Sequence, residues 1–316
     1  MLQPLQHLNW LVFSFFRLLE IRVFDRFGCM DIFSKLYAYL SQRNSNPAGN
    51  TMKTITFCSF KGGTSKTSTV LNLGACLAKN HKKRILLVDF DPQANLSVGL
   101  GIGADSLETI VPVLHDKTDI RSVISDTNIK NLSIIPSNAY LDGIEKLPPL
   151  GSNPYAHEKL RVALESIKEK FDYCFIDTPP SLGWLTQSGF YASSHSIVCA
   201  IPEAYSVIAL ERLRDFHEKI NEHHAVEVLG VVLTFWNERG AINSELLEEI
   251  NRSFPDKILE SKIRRDMVVS RAVFEGMSVL DYEPNSRAAE DYKVLAKEFL
   301  RKCNNTRTLK KEKVNA

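Results

Sequence analysis

Short apolar runs separated by longer segments of mixed polarity set the rhythm of this chain. Runs of about five mostly apolar residues predict strands near 53–59, 85–90, 132–135, 173–177, 196–201 and 228–234, with a further one around 257–260. Continuous apolar runs, rather than polar–apolar alternation, are what a parallel strand covered on both faces requires. Helices are expected between them, near 66–80, 155–170, 184–193, 204–221, 241–253, 264–274 and 286–302. This alternation predicts an α/β fold: a doubly wound, mainly parallel sheet with helices on both faces. Residues 101–131 and 137–154, the latter with Pro148, Pro149 and Gly151, read as less regular connections. Pro202, and Pro284 followed by Asn285, are natural breaks.

The first predicted strand runs into a glycine-bearing turn, Ser59-Phe60-Lys61-Gly62-Gly63-Thr64-Ser65, and then into a helix that opens Lys66-Thr67-Ser68. Such a turn lines up backbone N–H groups around a phosphate and places the positive end of a helix beneath it. Lys66 and Thr67 read as a phosphate-contacting lysine followed by a hydroxyl for Mg²⁺. Two more predicted strands end in carboxylates: 85–90 at Asp89 and Asp91, and 173–177 at Asp177. A single aspartate after a strand is commonly a helix N-cap. Ligands in open α/β sheets bind beyond the carboxyl ends of the strands. A phosphate loop and three carboxylates delivered there, in this order, point instead to a nucleoside-triphosphate site of the P-loop type.

The loop departs from the common P-loop, which has glycine where Phe60 and Ser65 stand. The pattern Lys61-Gly62-Gly63-x-x-Lys66-Thr67 resembles the deviant Walker A motif of the ParA/MinD family of partition and positioning ATPases. The run from Asp89 through Gln93 to Asn95 is similar to that family's first switch, and the run from Asp177 to Gly183 to its Walker B and second switch. The segment from Leu233 to Arg239 resembles one that lies near the base. The stretch from Ile263 through Ser270 and Gly276 to Glu290 resembles the ParA C-terminal region. About residues 52–300 are covered, and the ParA branch, typified by Soj, is more similar than MinD.

The resemblance implies roles. The backbone from Gly62 to Thr67 and the Lys66 ammonium would hold the β- and γ-phosphates. Thr67 would ligate Mg²⁺, with Asp177 acting through water and Asp89 supporting the metal shell. Asp91 would orient the attacking water, and Lys61 would reach the ATP of a second copy. Thr64, Ser65 and Ser68 complete the nucleotide-binding loop, and Asn237 and Arg239 would approach the base. The implied activity is ATP hydrolysis by an ATP-dependent homodimer. That dimer would bind DNA non-specifically and be cycled by a ParB-like partner to segregate a plasmid or chromosome, in the cytoplasm on the nucleoid. Ser65 is the departure that matters most. A glycine there adopts a backbone conformation costly for residues with a Cβ, about 1–2 kcal/mol. Slow turnover or weakened binding would follow, and a nucleotide-gated, DNA-associated scaffold with little hydrolysis is the alternative function.

Composition refines this picture. The apolar content of 44% is ample for a core. Six cysteines without a CxxC pair argue against a disulfide scaffold, a structural zinc or an iron–sulfur centre. The net charge of +2 is unevenly spread: residues 301–316 hold six basic side chains against Glu312 alone, and residues 52–300 are net acidic. DNA binding then needs a local basic patch, for which Lys262, Arg264, Arg265 and Arg271 are the candidates. The tail 301–316 is expected to be disordered. The first 51 residues lie outside the pattern. Their apolar stretch from Leu8 to Leu19 is too short for a membrane span of about 20 residues, and no lysine or arginine precedes it as in a signal peptide. Translation is expected to start at Met52; a membrane-surface or partner-binding amphipathic helix, as in a MinD-like positioning ATPase, is the alternative. A membrane partner is not expected.

Overall fold

The computed structural model describes residues 52–59, 61–103, 106–146, 156–203, 206–238 and 243–314. Its strands are β1 (Lys53–Cys58), β2 (Ile85–Asp89), β3 (Ser125–Asp126), β4 (Leu132–Ile135), β5 (Tyr173–Asp177), β6 (His195–Ala200), β7 (Glu227–Trp236) and β8 (Ile258–Arg264). They form one sheet in the order β3-β4-β2-β5-β1-β6-β7-β8. Every pairing is parallel except that of β3 with β4. The predicted α/β architecture is therefore the observed one.

Alternate residues of each central strand enter cores on opposite faces. Ile55, Phe57, Leu87, Phe175 and Ile197 pack with helices α1 (Lys66–His81) and α11 (Arg287–Val314). Leu86, Val88, Cys174 and Ile176 face the other way, with Leu160 and Leu164 of α5 (Lys159–Glu165) and Leu185 of α6 (Trp184–Tyr191). On that side Val198 and Val231 join Leu210 and Leu213 of α7 (Ser206–Asn221) and Ile250 of α8 (Asn243–Ser253). A wholly buried strand hides both sets of side chains, which is why these segments read as unbroken apolar runs. The five described cysteines are buried and form no disulfide among the described residues.

The stretches read as irregular carry short elements: α2 (Asn95–Val98), α3 (Ile110–Leu114), a 3₁₀ turn at Ile120–Val123, the strand β3, and α4 (Leu141–Lys146). Pieces this short are set by tertiary packing rather than by periodicity. A further short helix, α10 (Val279–Tyr282), follows α9 (Met267–Phe274). The helix expected from 264 starts later because β8 runs on through Arg264 and Asp266 caps α9, its carboxylate accepting from the Val268 N–H at 3.1 Å. The last helix continues to Val314, past the predicted end at 302 and through most of the segment expected to be disordered. Lysine, arginine and glutamate are good helix formers, and neither glycine nor proline interrupts this run. The first 51 residues, and with them the expectations about their start and surface role, lie outside the described residues. No described helix is long and apolar enough to cross a membrane.

Candidate nucleotide site

Sheet order places the predicted chemistry. β2, β5 and β1 are adjacent, and the register pairs Asp89 with Asp177 on one side and Phe57 with Asp177 on the other. The carboxyl ends of these strands therefore bring the glycine turn, Asp89 and Asp177 together. The turn is tied to its neighbours by buried hydroxyls. Thr234 Oγ1 donates to the Thr64 carbonyl at 2.9 Å, and Thr178 Oγ1 donates to the Phe57 carbonyl at 2.9 Å.

Two residues of the turn have left-handed backbone, Gly63 at φ 76° and Ser65 at φ 54°. Ser65 is the N-cap of α1, yet its side chain makes no capping bond; its carbonyl instead accepts from Thr69 N and Oγ1 at 2.9 and 2.8 Å. A residue with a Cβ thus occupies the conformation that glycine holds without strain. The N-terminal N–H groups of α1 carry no side-chain cap and open onto a cavity of about 610 Å³. Lys61, Gly62 through Ser68, and Asp91 line that end of it.

Beneath the turn, Lys66 is 6% exposed and its ammonium donates to Asp177 Oδ1 at 2.9 Å and to the Thr178 carbonyl. Thr67 Oγ1 donates to the other oxygen, Asp177 Oδ2, at 2.6 Å. Burial pulls the Lys66 pKa down, but the charge and hydrogen bond of Asp177, with Asp91 farther off, more than offset it, so the lysine stays cationic. Asp89 is wholly buried: Oδ2 accepts from Ser97 N and Oγ at 2.8 and 2.7 Å, and Oδ1 accepts from Asp91 N at 3.3 Å. Burial, with the charge of Asp177, pushes its pKa up to about 7 against these bonds. Asp91 is also raised by burial, opposed by the Gln93 N–H and by Lys66.

This arrangement fits a magnesium nucleotide. Backbone N–H groups at a helix start and a buried ammonium suit phosphate oxygens. Among the described residues no group of three or more His, Cys, Asp or Glu could cage a metal. A magnesium ion shared with phosphates needs only one or two carboxylates and keeps several waters, and Thr67 with Asp177 supplies such a partial shell.

The other end of the cavity is less like the sequence reading. Phe235, at φ 51°, lines it together with Ile263, Arg264, Asp266 and Tyr292. Asn237, the candidate base contact, is exposed at the end of β7 and does not line the cavity; Arg239 lies outside the described residues. The basic candidates have separate partners. Arg264 Nη2 donates to Asp291 Oδ1 at 2.6 Å, Lys262 sits 4.0 Å from the Trp236 ring centre, and Arg265 lies 5.9 Å from that of Phe235. Arg271 is exposed on α9. Lys61, at the cavity rim, pairs with Glu203 of its own chain. Sequence reasoning missed Ser97, Thr178 and Glu203; Ser97 follows the Asp89-to-Asn95 segment closely enough to have been found there.

Comparisons with known proteins agree with this geometry. A family model described as an AAA domain matches residues 52–228. The chain is 46% identical over 249 residues to a ParA family protein of Chlamydia trachomatis, covering 79% of this chain and 98% of the relative. It is 38% identical over 250 residues to the sporulation initiation inhibitor protein Soj of Bacillus subtilis, covering 78% and 97%. The solved structure of septum site-determining protein MinD of Pyrococcus horikoshii, complexed with Mg-ADP, matches with TM-score 0.65 at 27% identity, covering 78% of this chain and 95% of that one. The phosphate turn, the paired lysine and aspartate, the sheet order and these relatives together establish that the chain belongs to the ParA/MinD family of ATPases, alongside its Soj-like members.

Proposed function

We propose that the chain is a ParA-type partition ATPase that uses ATP and Mg²⁺, dimerises with ATP bound, and in that state holds DNA non-specifically. The observation that carries this reading is the Lys66–Asp177–Thr67 constellation beneath a two-lysine glycine turn. Lys66 and the backbone from Gly62 to Thr67 hold the β- and γ-phosphates, which requires the ammonium to exchange part of its bonding to Asp177 and Thr178 for phosphate oxygens. Thr67 and Asp177 would hold magnesium, with Asp89 behind them; such an ion, when bound, would supply charge neutralisation at the phosphates. Asp91, at the cavity wall, orients the attacking water. Lys61 of a second copy neutralises charge on the γ-phosphate, so turnover depends on dimerisation, and within one chain its pairing with Glu203 must first open.

DNA binding through exposed basic residues such as Arg265 and Arg271 is mostly phosphate neutralisation and weakens steeply with salt. The DNA-bound state places the protein on the nucleoid in the cytoplasm, and a ParB-like partner then stimulates hydrolysis and releases the DNA. The test is phosphate release by the full chain with and without duplex DNA over a salt series. DNA-stimulated turnover that fades as salt rises supports the reading. ATP-dependent DNA binding without turnover favours the second one, a gated scaffold, for which the left-handed Ser65 is the specific motive. Absence of both turnover and ATP-dependent DNA binding overturns both readings.

A further inference from the structure

We propose that Ser137 is a positioning residue for hydrolysis, fixing the segment that carries Asp91 against the neighbouring strand; this rests on Asp91 orienting the attacking water, as read above. The segment leaves the sheet after β2. Phe90 is still anchored, its N–H donating to the Asp177 carbonyl at 2.9 Å. From Asp91 onward the chain turns back on itself. Ala94 N donates to the Asp91 carbonyl at 2.9 Å, Gln93 N donates to Asp91 Oδ1 at 3.0 Å, and Ala94 adopts φ 52°. These bonds fix the shape of the turn but not its place relative to the phosphate loop.

Its place is fixed from β4, the strand beside β2, whose Ile135 pairs with Val88. Ser137 follows that strand end and is wholly buried. Its Oγ donates to the Asp91 carbonyl at 2.9 Å, a second bond to that oxygen and one that comes from a different strand. Its N–H donates to Ser97 Oγ at 3.1 Å, and Ser97 in turn donates twice to Asp89. One residue therefore grips the segment at both of its ends and completes a relay from β4 to both aspartates. The remaining tie, Asp91 N to Asp89 Oδ1, is long at 3.3 Å. Asn138, next in the chain, provides a built-in control. Its amide donates to the Ser106 carbonyl at 2.9 Å and its oxygen accepts from Tyr140 N at 3.1 Å, and neither bond reaches the aspartates.

A bond that holds Asp91 in register acts on the chemical step and not on ATP binding, which uses the phosphate loop. A displacement of about 1 Å at a reacting group costs up to about a hundredfold in rate. The experiment measures phosphate release, ATP affinity by calorimetry and melting temperature for the full chain carrying Ser137→Ala, Ser137→Cys, Asn138→Ala or Asp91→Ala. Ser137→Ala is expected to lower kcat by roughly 10- to 100-fold with ATP affinity within about twofold. Ser137→Cys, similar in size but a weaker donor, falls between alanine and wild type, and it carries the test if the alanine variant does not fold. Asn138→Ala keeps kcat, even where it lowers the melting temperature.

The inference is overturned if Ser137→Ala keeps kcat, if Asn138→Ala loses as much, or if ATP affinity falls in step with kcat. If Asp91→Ala abolishes turnover while Ser137→Ala spares it, only the role of Ser137 fails. If Asp91→Ala itself turns over normally, or the unaltered chain does not turn over, the reading of Asp91 fails and the inference with it.

Discussion

The two ends of the cavity are built on different physics. At the phosphate end, Lys66, Asp177 and Asp89 sit at or near zero exposure and are bonded to one another or to nearby backbone beyond the ends of the central strands. At the end formed by β7, β8 and α9, Arg264 and Asp291 pair with side-chain exposures of 34% and 9%, and Phe235 is 40% exposed. A charge in the first place has no water to fall back on, whereas the Arg264 guanidinium in the second does. Substitutions at the phosphate end should therefore be costly and specific, and those at the far end mild and graded.

The sharpest way to break this contrast is Lys66→Ala. It leaves the Asp177 carboxylate, which is 0% exposed, without its cation. Removing one partner of such a buried pair costs about 3–5 kcal/mol, and turnover should vanish with it. Chemical denaturation and phosphate release check the two effects separately.

Asp89→Asn comes next and has a pH signature. The folded state holds the Asp89 pKa at about 7 against 3.8 for the free group. Its contribution to stability is therefore full below the unfolded value and is lost as pH rises through about 7. The nucleotide-free wild type should gain stability on going from pH 8 to pH 5 relative to Asp89→Asn. The variant should be the more stable one at pH 8, by on the order of a few kcal/mol, since each pKa unit is worth about 1.4. Urea melts across that range read it, and parallel pH curves for the two chains would contradict the burial argument.

Ser65→Gly probes strain at the phosphate end. Relief of the left-handed conformation gives about 1–2 kcal/mol, and glycine's freer unfolded chain takes back roughly 0.4–1. A net gain of about 0.5–1 kcal/mol with faster turnover is expected; a loss of stability would mean that the serine hydroxyl has an unrecognised partner. Smallest is Arg264→Ala, where a part-exposed pair is worth about 0.2–1 kcal/mol. If it costs as much as Lys66→Ala, the two ends do not differ in the way described.

The same contrast explains what could be read from sequence. Strands β1, β2 and β5 were legible because both faces of each are covered, which forces unbroken apolar runs, and their ends announced Lys66, Asp89, Asp91 and Asp177. The far end was not. β8 is an edge strand that alternates buried Leu259, Ser261 and Ile263 with outward Glu260, Lys262 and Arg264, so only part of it read as a strand. Its free N–H groups are satisfied from far along the chain: Glu298 accepts from Glu260 N and Ser261 N at 3.0 and 2.8 Å, and Asp291 accepts from Arg264 N at 2.9 Å. Nothing local in the sequence marks those pairings, although they protect an edge that would otherwise recruit another strand. That Phe235, and not the base-contact candidate Asn237, lines the cavity was hidden for a similar reason. The backbone turn at Phe235 decides which side chain faces the cavity, and a left-handed phenylalanine has no composition signal. The charges of Lys262 and Arg264 were visible, but not that Trp236 and Asp291 had already engaged them.

The central claim, that the buried Lys66–Asp177 pair is a phosphate site held ready in the free protein, is tested most directly by titrating ATP with Mg²⁺ into the full chain and into its Lys66→Ala variant, with folding of both confirmed first. Saturable binding by the wild type that is lost in the folded variant is the predicted result. Equal binding by both chains would show that the pair only supports the fold and that the nucleotide is held elsewhere.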